Sequence, residues 1–166
     1  MRLTLGIDPG LSGGLAWIGN VNECELLIPM PILDKRPDLK VLKDKLERIR
    51  PDLVVIEKPG NRPGQSAQSG MTAGVNWGLV VGLVTALEIP IIEVTPQTWK
   101  KEFGIVIRRA KGEPKLTPKQ VKEKSIAMAQ RLYPRVNLLA TPRCSVPHDG
   151  MAEALLIATY GHRIGK

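Results

Sequence analysis

The sequence is poor in aromatic residues, with only Trp17, Trp77, Trp99, Phe103, Tyr133 and Tyr160 in 166 positions. Its core must therefore be built from Leu, Ile, Val and Ala. Cysteine and histidine are scarcer still: Cys24, Cys144, His148 and His162. They offer neither a disulfide framework nor zinc-ligand spacing, and they fit a reducing compartment. The amino terminus runs directly into a strand pattern without an apolar leader, so the expected location is cytoplasmic or an organellar matrix. The longest apolar stretch, Met71 to Leu87, is interrupted by Asn76 and several glycines. It falls short of the about 18 uninterrupted apolar residues of a membrane span, and no membrane partner is expected.

What remains is an ordinary soluble balance of 43% hydrophobic and 24% charged residues, enough for one domain over residues 1–166. Lys and Arg exceed Asp and Glu by 24 to 16, a net charge of +8. A polyanionic partner follows naturally from that excess.

Short apolar runs at Leu3–Asp8, Gly14–Ile18 and Cys24–Ile28 are separated by Pro, Gly and polar residues and read as three strands. Leu39–Ile49 has helical spacing, and Leu53–Ile56 is a strand covered on both faces. Pro59–Gly70 reads as a loop, Met71–Leu87 as an apolar helix and Ile91–Val94 as a fifth strand. Thr95-Pro96 and Thr117-Pro118 each combine an N-cap with proline at the first helical position. They open a short helix through Lys100 and a longer one to about Tyr133, and a last helix covers His148–Tyr160. Short links between the first three strands make them antiparallel, and helical crossovers make the later two parallel. The expectation is an α/β fold with a mixed five-stranded sheet flanked by helices.

Asp8 and Glu57 each end an apolar strand just before a Pro-Gly break. If the strands are neighbours, the two carboxylates lie side by side, which is costly without a cation or a shared proton. Asp149 and Glu153 stand four apart at the start of an apolar helix and share one face. Taken alone, Asp149 could serve as the N-cap and Glu153 as a first-turn dipole partner. Four hard carboxylates without clustered cysteine or histidine suit Mg²⁺ or Mn²⁺, and two such ions form the arrangement that cleaves phosphodiesters.

Four blocks of residues carry a resemblance: Gly6-Ile7-Asp8-Pro9-Gly10-Leu11-Ser12-Gly13-Gly14, Val55-Ile56-Glu57-Lys58-Pro59, Val94-Thr95-Pro96-Gln97-Thr98-Trp99-Lys100-Lys101 and Asp149-Gly150-Met151-Ala152-Glu153-Ala154-Leu155. In this order they resemble the RuvC-type Holliday junction resolvases, with the organellar and phage branches looking closest. The resemblance implies a ribonuclease-H-like fold and a homodimeric, Mg²⁺-dependent endonuclease that cuts four-way DNA junctions with two ions per site. It implies that Asp8, Glu57 and Glu153 are catalytic metal ligands. Many bacterial members place a fourth acid three residues before the last, where this chain has Gly150. Asp149 is the substitute, with His148 a further candidate.

Between Lys100 and Arg143 there are twelve basic residues against three acidic ones. This segment is read as the phosphate-contacting surface, with Lys100, Lys101, Arg108, Arg109, Lys115, Lys119 and Lys122 as its main cations. Gly74, Gly78 and Gly82 recur every four residues along the apolar helix and strip side chains from one stripe. Packing on the sheet and a subunit interface both explain such a stripe, and the pseudo-two-fold symmetry of a junction favours the interface. Three other readings stand beside resolution: an RNase H-like nuclease acting on other branched or hybrid substrates, a non-catalytic junction-binding protein, and a small sugar-kinase-like ATPase suggested by the Asp8-Pro9-Gly10 turn.

Overall fold

The computed structural model describes residues 2–60, 64, 66–105 and 116–165. Seven strands and five helices follow one another along these residues. They are β1 (Thr4–Asp8), β2 (Gly14–Asn20), β3 (Glu23–Pro29), β4 (Ile32–Leu33), β5 (Arg36–Pro37), α1 (Leu39–Arg48), β6 (Leu53–Glu57), α2 (Ala67–Ala86), β7 (Ile91–Val94), α3 (Pro96–Glu102), α4 (Pro118–Leu132) and α5 (Asp149–Ile164). The main sheet has the order β3-β2-β1-β6-β7. β1 pairs antiparallel with β2, and β2 with β3, while β1 pairs parallel with β6, and β6 with β7. This is the mixed five-stranded sheet expected from the link lengths.

The alternation of side chains sorts the strands onto two faces. Leu5, Ile7, Leu15, Trp17, Val54 and Ile56 point to one side, where they meet Leu42 and Leu46 of α1 and Val80 and Val84 of α2. Ala16, Ile18, Leu53 and Val55 point to the other, under α3, α4 and α5. By the same alternation Asp8 and Glu57 belong to the α5 side. α5 is the central helix, with eleven of its 16 residues buried, and it lies directly on β1 and β2. That approach requires glycine: a Cβ at Gly6 would strike the backbone of Ala154 and Ala158, and one at Gly14 would lie 2.8 Å from the Met151 Cα.

Three details differ from the sequence expectation. The β4–β5 hairpin is too short to leave a periodic signal. α2 starts at Ala67, four residues before Met71, because the Ser66 hydroxyl caps it by accepting from the Ser69 N–H. The polar Gln68-Ser69 turn looks like loop by composition. α5 is capped by His148, whose Nδ1 accepts from the Met151 N–H at 3.1 Å, so Asp149 is the first helical residue and not the cap.

Candidate active site

Asp8 stands at the carboxyl end of β1, and Glu57 at that of β6. The parallel register runs from Thr4 opposite Leu53 to Ile7 opposite Ile56, and one further step sets Asp8 beside Glu57. Together they line a cleft of about 170 Å³ with Pro9, Gly10, Pro59, Gly60 and Ala73. α5 enters from above: its first turn lies against the Ser12-Gly13 backbone, with no room for a Cβ on Gly150. This contact delivers Glu153 to the strand ends. α3 closes the side, with Trp99 and Lys100 both buried.

Each carboxylate has its own partner. The Gly10 N–H donates to Asp8 Oδ1 at 3.1 Å. The Trp99 indole N–H donates to Glu57 Oε2 at 2.7 Å. Lys100 Nζ sits 2.8 Å from Glu153 Oε1, to which the Ser125 hydroxyl also donates at 3.1 Å. Asp149 Oδ2 pairs with Lys122 Nζ at 2.5 Å.

Burial raises the pKa of Glu57 to about 7; neighbouring Asp8 and then Glu153 push the same way, and Lys100 and the Trp99 bond only partly oppose them. Asp8 rises to about 6, first through desolvation and next through Glu153, with a smaller push from Asp149. Glu153 thus acts electrostatically on both Asp8 and Glu57, and Asp149 on Asp8, which leaves an excess of negative charge around the two strand-end acids.

That excess, carried by hard oxygen donors, fits a divalent cation. No three Asp, Glu, His or Cys side chains among the described residues stand ready to share an ion. Two ammonium groups engage Glu153 and Asp149.

The basic residues divide in a way the sequence does not show. Lys100 was expected on the phosphate-contacting surface. It is instead only 6% exposed, because it lies on the inward side of α3 beside Trp99. Its charge serves Glu153, which corrects that expectation. Lys101, Lys119 and Lys122 are solvent-exposed as anticipated. Arg108, Arg109 and Lys115 lie outside the described residues. Sequence reasoning missed the roles of Trp99, Lys100 and Ser125. Their signal lies in spacing: a Trp-Lys pair one turn beyond the Thr95-Pro96 cap, and a serine amid the apolar residues of α4.

The glycine stripe of α2 faces open space. A Cβ at Gly74, Gly78 or Gly82 would touch nothing within 4 Å, so these glycines do not pack on the sheet. Met71 (66% exposed) and Val75 (39% exposed) flank them. The helix is 20 residues long with mean hydropathy 1.2, long and apolar enough to cross a membrane, which the interrupted sequence had argued against. Its opposite face is nonetheless part of the domain, since Asn76, Val80 and Val84 are buried against the sheet.

A mixed sheet with acids at the ends of its first and fourth principal strands and on the last helix has the arrangement of a ribonuclease-H-like fold. Within that class, the chain has the fold of the RuvC-type Holliday junction resolvases. Thermus thermophilus RuvC, solved in complex with a Holliday junction substrate, superposes with a TM-score of 0.64 at 16% identity, covering 98% of this chain and 96% of that one. Yeast mitochondrial Holliday junction resolvase Ydc2 matches at TM-score 0.52 and 17% identity over 96% of this chain and 77% of that one. Fowlpox virus resolvase, solved with junction DNA, matches at 0.52 and 14% over 99% of both chains. No protein-family model and no curated protein matches the sequence.

Proposed function

We propose that this chain is a homodimeric, divalent-metal-dependent resolvase that makes paired symmetric nicks in four-way DNA junctions. The observation that carries the reading is the carboxylate cluster itself. Asp8 and Glu57 stand side by side at one sheet end, Glu153 acts on both and Asp149 on Asp8, and burial with these neighbouring acids raises the pKa values of Asp8 and Glu57. That cluster lies in a fold shared with proteins solved on Holliday junctions.

Two Mg²⁺ or Mn²⁺ ions held by these four groups would supply an activated water and stabilise the leaving oxygen. The chain's own residues prepare the ligands. The Gly10 N–H donates to Asp8 Oδ1 and the Trp99 indole to Glu57 Oε2, which fixes both carboxylates beside the cleft with acceptor sites to spare. Lys100 and Ser125 fix Glu153 Oε1. Asp149 is the fourth ligand in this reading. The Nδ1 of His148 is already committed to the helix cap.

DNA lies across α4, where Lys119 and Lys122 project with the nearby Lys101. The open stripe of α2 takes the same stripe of a second copy, because glycines let two helices approach closely and a two-fold axis offers two sites to a two-fold substrate.

The test offers labelled four-way junction, duplex, flap and RNA–DNA hybrid with Mg²⁺. Paired symmetric nicks confined to the junction are the expected result. Equal cutting of flaps or hybrids would assign the site to another branched-substrate nuclease. Tight binding without any cut would leave only junction binding.

A further inference from the structure

Trp99 is fully buried, and its ring belongs to the apolar core that also holds Val94, Phe103 and Leu155. Packing alone asks only for a ring at this place, but a buried indole N–H needs an acceptor of its own. Trp17, equally buried on the other side of the sheet, gives its N–H to the Ile49 backbone carbonyl at 3.1 Å. Trp99 gives its N–H to the Glu57 carboxylate at 2.7 Å, the short distance of a charge-assisted bond. The face of the same ring lies 4.8 Å from Lys100 Nζ, the ammonium that holds Glu153. One side chain thus bonds an acid from β6 and packs on the group that fixes an acid from α5. Strand pairing fixes the backbone of Glu57 but not the plane of its carboxylate, because the last torsion of a glutamate is broad. A donor locked in the core fixes that plane.

We infer that Trp99 is a positioning residue for metal binding: by fixing the plane of the Glu57 carboxylate, it makes the site discriminate a small octahedral cation from Ca²⁺. The inference rests on the divalent-metal reading above and goes beyond it by assigning that discrimination to one side chain. Mg²⁺ demands near-ideal octahedral oxygen positions, whereas Ca²⁺ accepts carboxylates with one or both oxygens in a flexible shell. A carboxylate free to tilt therefore costs the smaller ion more than the larger one. Outer-shell partners that orient a ligand typically contribute about 10–100-fold in metal affinity, which sets the size of the effect.

The experiment compares the full-length wild type with Trp99→Phe, which keeps a ring in the core and removes the donor. Thermal-shift titrations with Mg²⁺ and with Ca²⁺ read both affinities without DNA or turnover. Trp99→Phe should bind Mg²⁺ about tenfold more weakly and Ca²⁺ within about twofold of wild type. Its junction affinity in EDTA should not change. An equal loss for both ions would make Trp99 a packing residue only, and an unchanged Mg²⁺ affinity would remove its role altogether; either result overturns the inference. A second measurement needs only the wild type, should Trp99→Phe fail to fold. In its ¹⁵N-indole NMR spectrum, assigned by elimination with Trp17→Phe and Trp77→Phe, Mg²⁺ should move the Trp99 N–H signal and leave that of Trp17 in place. A Trp99 signal that stays still at Mg²⁺ concentrations that raise the melting temperature overturns the inference and leaves metal binding standing. A wild type whose melting temperature responds to no divalent ion sinks the metal reading and the inference together.

Discussion

Glu57→Gln should stabilise the metal-free protein while destroying its capacity for metal, and the size of the gain follows from the site. Glu57 is 7% exposed, and its pKa is raised from 4.5 to about 7 by burial, then Asp8 and Glu153. An acid whose folded pKa exceeds its unfolded value binds more protons when folded. Stability therefore falls as pH rises between the two values, and the full penalty is present above the folded one. The shift corresponds to about 3 kcal/mol near pH 8, as an upper figure, and to little near pH 5, where Glu57 is mostly protonated in the folded protein. Glutamine keeps an oxygen for the 2.7 Å bond from Trp99. At roughly 2–4 °C per kcal/mol for a chain of this size, the variant should melt up to about 10 °C higher near pH 8 in EDTA. Its advantage should shrink toward pH 5. Added Mg²⁺ or Mn²⁺ should raise the melting temperature of the wild type and leave that of the variant almost unmoved. Thermal scans of both proteins at the two pH values, with chelator and with metal, measure all of this. A variant less stable than wild type near pH 8 in EDTA, or an advantage independent of pH, would refute the reasoning.

Asp8→Asn should abolish cutting while junction binding, followed by gel shift in Ca²⁺, is kept or improved, since one charge repelling phosphate is gone. Neutralising Lys119 and Lys122 together should weaken binding to all junction sequences alike and lower the salt slope by about one unit per lost phosphate contact; a sequence-selective loss would mean that they read bases. Because the stripe position at 78 is open space, Gly78→Leu should leave folding intact and shift light-scattering mass toward monomer, with single nicks replacing paired cuts in a cruciform plasmid. A dimeric Gly78→Leu variant would place the subunit contact elsewhere.

The strand order was legible in the sequence because link lengths decide it: tight turns force antiparallel neighbours and helical crossovers force parallel ones. The acids at strand ends were legible for a related reason. An apolar run buried on both faces has one place where a carboxylate survives, its rim, and both Asp8 and Glu57 stand there. What was not legible depends on which way short helices turn. Lys100 and Lys101 are adjacent in sequence, yet the packing of α3 sends one into the site and leaves the other in water. Nothing in a charge count separates them. Packing on the sheet stood as a rival explanation of the glycine stripe until α2 was seen to turn Val80 and Val84, and not its glycines, to the sheet.

The lack of an acid at position 150 follows from packing. The first turn of α5 lies so close to the Ser12-Gly13 backbone that residue 150 has no room for a Cβ. An acid three residues before Glu153 is therefore sterically barred in this chain, although that spacing would put it on the right face. One residue earlier the helix turns away from the strand loop, and Asp149 keeps an i, i+4 relation to Glu153. Two like charges so placed would weaken an isolated helix. Here Lys122 of α4 answers the first and Lys100 of α3 the second. The helices that bring the lysines are the same ones that cover the α5 face of the sheet. Closing the core and holding the acids together are thus one act of packing, which leaves the surplus charge concentrated on Asp8 and Glu57, where the cleft opens.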